Sequence, residues 1–538
     1  MSKERYDVIV IGGGHNSLTC AAYLAKAGLR TIVLEKNEVV GGAAITEEFH
    51  PGFRNSVAAY AVSLLHPQVI ADLELRRHGL TLVERPAANF WPVDGRRGLL
   101  MPHGTEGRQR AVSVFSKRDG ERLAAYDAAL ARAASLVRDL LLRSPPNAGG
   151  GLLAAVGAAG LGRRLFGLSV DDKRLLLDLF TKSAADFLGQ WFENETVIGA
   201  LAFDGIVGAF AGPYTPGTAY ALLHHALGEV NGKSGVWGHA IGGMGAIPQA
   251  MANAAEARGV TVRTMAPIAS VMVDVDSAVG VRLASGEEIK AQAVAAGVPP
   301  KLLFRDLLPD EAVTPELRQR FIGLKSGSAV FRMNVALSEL PDFRCLPGKN
   351  LQDHHGAGIV IGPTVTYLDR AYLDARAQGW SRKPIVEMLI SSTLDPTLAP
   401  EGRHTASLFV QYAAPHLPGA RSWDEAKGEF ANLVVDAVTE HAPNFKASVL
   451  GAQVLSPLDL ERRFGLPDGD IFHGQLTLDQ LYSARPVLGY ADYRMPLKGL
   501  YLCGAGAHPG GGVTGLPGHN AAIKIVRDFK RNAWLHRG

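Results

Sequence analysis

The run Tyr6-Asp7-Val8-Ile9-Val10-Ile11, followed at once by Gly12-Gly13-Gly14-His15-Asn16-Ser17, sets the fold. The first six residues form a short, β-branched apolar segment of the kind that makes a parallel strand buried on both faces. Beyond the glycines, 17–27 carries Leu18, Ala21, Ala22, Leu24 and Ala25 at helical spacing and stops at Gly28, a fitting C-terminal cap. Thr31-Ile32-Val33-Leu34 then reads as a second strand. A β-turn-α-β unit in about 30 residues is one mononucleotide-binding half of a doubly wound fold. The glycines nearly match G-x-G-x-x-G, with Ser17 in the third position. Gly12 permits the tight turn, Gly14 lets backbone N–H groups approach a pyrophosphate, and the third position serves helix–strand packing, which a serine tolerates. Asn16 lies within the same turn. Glu35 falls 23 residues after Gly12, at the end of the second strand, where a carboxylate can bond ribose hydroxyls. Lys36 follows, and Gly41-Gly42 allows backbone to close on a second part of a dinucleotide.

Working outward, the same α/β texture returns twice. It returns first with a helix over 247–258, short strands at 260–262 and 268–273, and a hairpin from 279–283 through Ser285-Gly286 to 288–294. It returns again with a strand at 499–503 and a closing helix at 520–532. The expected fold class is therefore α/β. A discontinuous Rossmann-like domain is expected from 1–74, 226–304 and 486–538, interleaved with an α+β substrate domain from 75–225 and 305–485. The stretch 144–168, glycine-rich and then apolar around Arg163 and Arg164, is expected to be an ordinary surface helix and loop, with a mobile lid or membrane-touching helix as the alternative.

Glu35 to Ala43 resembles the extended fingerprint of the flavoprotein superfamily that includes amine oxidases and phytoene desaturases, in which FAD is held by the double glycine. Ala43 stands where many members carry arginine. In that superfamily a second glycine-rich segment closes over the flavin, and Gly504-Ala505-Gly506-Ala507-His508-Pro509-Gly510-Gly511-Gly512-Val513-Thr514 is similar to it. The resemblance implies FAD contacts at Gly504, Gly512, Val513 and Thr514, and an adenine contact at Ile268. Residues 470–485 and 499–512 resemble, more narrowly, the phytoene desaturase and carotenoid isomerase-like flavoproteins and the subgroup of pyridine nucleotide-disulfide oxidoreductase domain-containing proteins with their bacterial relatives. That similarity extends over nearly the whole chain.

Composition bounds the alternatives. The 538 residues are 47% hydrophobic and 20% charged, too apolar for disorder. The net charge of +3 is spread without a basic block, so no nucleic-acid partner is expected. Cys20, Cys345 and Cys503 are far apart in sequence, giving neither a dithiol redox motif nor a structural zinc, and no His or carboxylate set recurs at ligand spacing, so no metal is expected. Gly242-Gly243-Met244-Gly245 lacks a preceding buried strand and an acidic ribose partner, which argues against a second nicotinamide site. Charged residues from Lys3 onward leave no room for a signal peptide before the first strand, so a cytoplasmic location is expected, with peripheral membrane contact as an open addition. The uncharged stretch 205–228 contains prolines, histidines and glycines and reads as buried loop and helix.

The function that follows is an FAD-dependent oxidoreductase. The flavin accepts hydride at N5 while the protein orients the substrate. An apolar, polyene- or isoprenoid-like substrate and oxygen or a quinone as acceptor are expected from the resemblance. Amine oxidation, and a flavin-holding partner-binding protein with little catalysis, remain alternatives. His508 is the candidate catalytic residue, being a titratable imidazole in the segment that the resemblance places at the flavin, and a hydrogen-bonding residue that shapes the loop is the other reading open to it. His473, Gln480, Tyr482 and Arg485 are candidates for the substrate pocket, with clamping of the FAD pyrophosphate or capping of a buried carbonyl as the other roles open to Arg485. Of His224 and His225, adjacent in a helix, at most one is expected to point inward.

Overall fold

The computed structural model describes residues 6–147, 151–327 and 330–535. Tyr6–Ile11, Thr31–Leu34, Thr261–Arg263 and Leu500–Leu502 run parallel, in one sheet with Ile268–Asp274, Ser277–Leu283 and Glu288–Ala296. Glu288–Ala296 joins the two halves of that sheet. Its first residues pair antiparallel with Ser277–Leu283, and its last ones lie parallel between Tyr6–Ile11 and Leu500–Leu502. Val8, Ile9 and Val10 are wholly buried, as expected for a strand covered on both faces. The helix His15–Lys26 crosses one face, packed between Ala246–Glu256 and Leu516–Leu535. Its apolar residues and the alanines of Ala246–Glu256 interlock in one continuous core.

A second seven-stranded sheet runs Val449–Leu455, Phe331–Leu337, His404–Ala413, Trp380–Leu389, Gly358–Ile361, Ala87–Pro92, Gly98–Pro102. All neighbours are antiparallel except Gly358–Ile361 with Ala87–Pro92. The helix Trp423–His441 covers one face through Trp423, Phe430, Val434 and Val438. Val365–Gln378 and Glu195–Ile206 cover the other through Leu368, Ala371 and Val197. The stretch 205–228 takes in the end of Glu195–Ile206, a loop and the short helix Ala219–Ala226. No helix among the described residues is long and apolar enough to cross a membrane. Of the stretch 144–168, residues 148–150 lie outside the described residues, and a helix spans Gly151–Phe166 with Leu165 and Phe166 exposed at its end.

Candidate functional site

The carboxyl ends of the parallel strands, where open α/β sheets bind ligands, converge on the glycine turn. The Gly12 amide donates to the Leu34 carbonyl over 2.8 Å, and its φ of +86° suits only glycine. Glu35 is buried, and both its carboxylate oxygens work. Oε2 accepts from the Gly13 amide at 2.6 Å and Oε1 from the Asn37 amide at 2.9 Å, which locks the turn onto the end of the second strand. Each oxygen keeps a further lone pair for a ribose hydroxyl. The Gly41 amide donates to the Gly13 carbonyl at 2.8 Å, so the two glycine segments form one cradle. Gly14 has nothing within 4 Å of where a side chain would stand. The Ser17 departure also finds its reason. A Cβ at Gly297, just past the strand Glu288–Ala296, would sit 1.8 Å from Ser17 Oγ. The space that the third glycine would have left is supplied by Gly297.

From this cradle a cavity of about 320 Å³ runs into the gap between the two sheets. Besides the glycine segments it is walled by Leu64, Val207, Ala221, Phe409, Ile471 and Leu476, with the imidazoles of His224, His225 and His473. Burial pushes these imidazoles down to about 3, 4 and 3 respectively, and His15 to about 4, so all four are neutral at physiological pH. Both members of the His224-His225 pair face the cavity, whereas only one was expected to point inward. They sit in the last turn of Ala219–Ala226, and the cavity wraps around that end. Tyr60 and Phe409 lie with ring centroids 4.9 Å apart, and the Tyr60 hydroxyl donates to Glu387. Burial and that carboxylate push the Tyr60 phenol up, and burial pushes Glu387 up.

Residues 18–331 match the model of the flavin-containing amine oxidoreductases. A pyridine nucleotide-disulfide oxidoreductase domain-containing protein 2 from Rattus norvegicus is 42% identical over 98% of this chain and 94% of that protein. The chain belongs to the flavin-containing amine oxidoreductase family. A limonene dehydrogenase polypeptide of Castellaniella defragrans is a more distant relative, 25% identical over 99% of this chain and 96% of that protein. A putrescine oxidase triple mutant shares the fold, with a TM-score of 0.60 at 16% identity, covering 98% of this chain and 99% of that one. As a member of this family the chain is an FAD-dependent oxidoreductase. Its residues fit that cofactor. Buried Asn16 Oδ1 and His15 Nε2 have no hydrogen-bond partner beside the open N-terminus of His15–Lys26, where a pyrophosphate binds most readily.

Placement of the expected residues divides cleanly. Gly12, Gly14, Asn16, Ser17, Glu35, Lys36, Gly41, Gly42, Ala43, Ile268, Gly512, Val513 and His473 all line the one cavity. The others do not reach its wall. Gly504 packs backbone to backbone, a Cβ there standing 2.3 Å from the Gly297 carbonyl oxygen. Thr514 accepts from the Leu516 amide at 3.1 Å and so caps the last helix. His508, expected beside the flavin, turns instead to the Leu140 carbonyl oxygen, 2.8 Å away, and Tyr482 rests edge-on against its ring. Gln480 accepts from the Lys325 amide at 2.7 Å and donates to the carbonyls of Lys325 and Gln475. Arg485 takes the capping role. Its guanidinium donates to five carbonyls, those of Phe472, Gly474, Gln475, Gln480 and Ala505, tying the 472–480 turn to the glycine-rich segment 504–514.

Sequence reasoning missed Tyr60, Trp237 and Phe409, which come from three distant segments with no motif between them. Gly297, Val298 and Pro299 were accessible to it. They follow a strand that the pattern identifies, at the carboxyl end where such sheets hold their ligands. Cys20 and Cys503, far apart in sequence, meet in the core as free thiols in side-chain hydrogen-bond contact. Both are wholly buried, and that contact together with burial holds the Cys20 thiol well above its ordinary range, so it is inert as a nucleophile.

Proposed function

We propose that this enzyme removes hydrogen from, or isomerises, an apolar substrate of polyene or isoprenoid type, with oxygen or a quinone as the terminal acceptor. The observation that carries this reading is the continuity of the cavity. The dinucleotide cradle and an apolar wall of Leu64, Val207, Phe409, Ile471 and Leu476 line the same cavity. When bound, FAD supplies a two-electron acceptor for hydride. The apolar wall orients a hydrocarbon chain and excludes water, and the glycine cradle with Glu35 fixes the cofactor end. Dehydrogenation also releases a proton. His225 and His473, each with an unpartnered buried Nδ1, are the wall groups placed to pass it on, and burial, which disfavours their charged form, keeps them from retaining it. The name limonene dehydrogenase, carried by one relative, supports an isoprenoid substrate.

Amine oxidation is the second reading, favoured by the Tyr60–Phe409 aromatic pair and by the putrescine oxidase fold likeness. Against it stands the guanidinium of Arg332, 4.8 Å from the Tyr60 ring centroid, which repels an ammonium group drawn to the same rings. Anaerobic mixing of the yellow holoprotein with terpenoid and carotenoid hydrocarbons, and separately with primary amines, tests the reading. Bleaching of the flavin bands by the hydrocarbons is expected, and bleaching by amines alone would overturn it. Exposed Leu165, Phe166 and Val170 around the end of Gly151–Phe166 support peripheral membrane contact, which sedimentation with anionic and neutral vesicles would show and free protein in both supernatants would refute.

A further inference from the structure

Behind the aromatic wall of the cavity lie two buried arginines that the reaction above does not use. Arg85 is 2% exposed and Arg332 1%. The Arg332 guanidinium stands 4.8 Å from the ring centroid of Tyr60 and 5.5 Å from that of Phe409, and Arg85 stands 5.3 Å from that of Trp237. All three rings are cavity wall. Among the described residues neither arginine has a carboxylate within 4.0 Å. Arg332 makes one side-chain bond, to Ser407 Oγ. Arg332 Nε and Nη1 and both Arg85 Nη atoms are buried without a hydrogen-bond partner. One carboxylate, Glu387, is near enough to act on both, and it already accepts from Tyr60. Two guanidinium groups thus face a single buried acid.

Burying an ionised group without a partner costs several kcal/mol, and a guanidinium does not escape that cost by losing its proton. Stacking on the rings recovers part of it as cation–π attraction but leaves the N–H donors unused. Those donors are planar forks, the geometry that matches a carboxylate. We infer that Arg85 and Arg332 form a recognition site for a carboxylate at one end of the substrate, reached when the Tyr60 ring turns away from Glu387. This rests on the apolar-substrate reading and sharpens it: the ligand is an amphiphile, an isoprenoid or polyene chain with an acid terminus. The chain lies along the apolar wall of the cavity, and the acid supplies the acceptors that the two arginines lack.

Three ligands sharing one isoprenoid chain, namely the acid, its alcohol and its methyl ester, separate the possibilities when titrated into the FAD-loaded full chain, with the flavin absorbance shift as readout and acetate as a fourth arm. The acid is expected to bind at least about tenfold more tightly than the alcohol or ester, the worth of one charge-assisted hydrogen bond. In Arg332→Gln and Arg85→Gln, checked for full flavin content, the acid's advantage is expected to fall to about threefold or less. Equal affinity for the three ligands, or an equal loss for all three in both variants, would overturn the acid site while leaving an apolar substrate in place. Acetate binding as tightly as the long-chain acid would overturn the substrate-terminus assignment in favour of a free anion. No binding by any of the three, with the flavin still photoreducible, would overturn both the site and the apolar reading. The comparison among ligands needs no variant, so a misfolded arginine substitution does not spoil the test.

Discussion

Replacing Gly297 with alanine puts a methyl group where the structure has none to spare. Its Cβ would stand 1.8 Å from Ser17 Oγ, 3.2 Å from Ser17 Cβ and 2.9 Å from the Ile11 carbonyl oxygen. The first contact can be relieved by turning the serine hydroxyl, which drives it into the glycine turn, whereas the third is backbone and can be relieved only by moving the strand. Overpacking of this kind costs about 1–3 kcal/mol. Falling wholly on the cradle, that strain weakens FAD binding by roughly 5- to 150-fold. Ser17→Gly restores the third glycine of the fingerprint and costs about 0.5 kcal/mol in helix propensity by itself. The double variant Ser17→Gly/Gly297→Ala should therefore recover the serine part of the strain and retain the Ile11 part, a coupling of about 1 kcal/mol in a double-mutant cycle. FAD retained through gel filtration at graded dilutions, together with the thermal midpoint of each holoprotein, measures it. Strict additivity, with the double variant no better than the sum of the single ones, would refute the claim that Gly297 substitutes for the missing glycine.

Glu35→Gln keeps one acceptor oxygen but replaces the other with an N–H₂ group facing a backbone amide, so FAD affinity should fall by about tenfold or more, read as faster flavin loss on dilution. Arg485→Met takes a donor from five carbonyls, of which that of Gln475 keeps another, from Gln480, and should lower stability by about 3 kcal/mol or more, seen in the thermal midpoint, with KM for substrate unchanged in the protein that retains flavin. Arg485→Lys should rescue little, because a point charge cannot serve carbonyls on both segments. His15, His224, His225 and His473 are held near 4, 3, 4 and 3 by burial, below their ordinary 6.5. The unfolded chain therefore binds more protons between pH 6.5 and 4, so their contribution is complete above 6.5 and is lost as pH falls through that window, by up to about 1.4 kcal/mol per pH unit for each. The thermal midpoint should drop steeply over that range and less steeply in His224→Gln; an identical slope would count against a neutral buried His224.

Local pattern was enough for the dinucleotide half. Tyr6–Ile11 and Thr31–Leu34 have the bounds that apolar runs and glycine punctuation imply, because a strand buried on both faces carries its own signature. The hairpin Ser277–Leu283 with Glu288–Ala296 was equally readable from its Ser285-Gly286 turn. The cavity's aromatic wall was not. Tyr60 sits in a loop, Trp237 precedes a three-residue strand and Phe409 lies in the middle of a strand of the other sheet, so only the long-range pairing of two sheets brings them together. His508 and Arg485 show the converse: their chemical type left a functional and a bracing role both open, and in the structure their side chains bond to backbone carbonyls. No sequence pattern reports which carbonyl lies beside a given side chain.

The packing of the helix Leu516–Leu535 against His15–Lys26, so close that a Cβ on Gly518 would stand 1.9 Å from the Asn16 carbonyl oxygen, bears on the order in which the molecule is made. The glycine turn leaves the ribosome almost five hundred residues ahead of the strand and helix that buttress it. Until they arrive the turn has lost one wall and the sheet its strand Leu500–Leu502, so the nascent chain cannot keep a flavin. Cofactor loading thereby waits until that strand and helix have been made. A message cut short anywhere before that helix yields a colourless product, however complete its first nucleotide-binding motif.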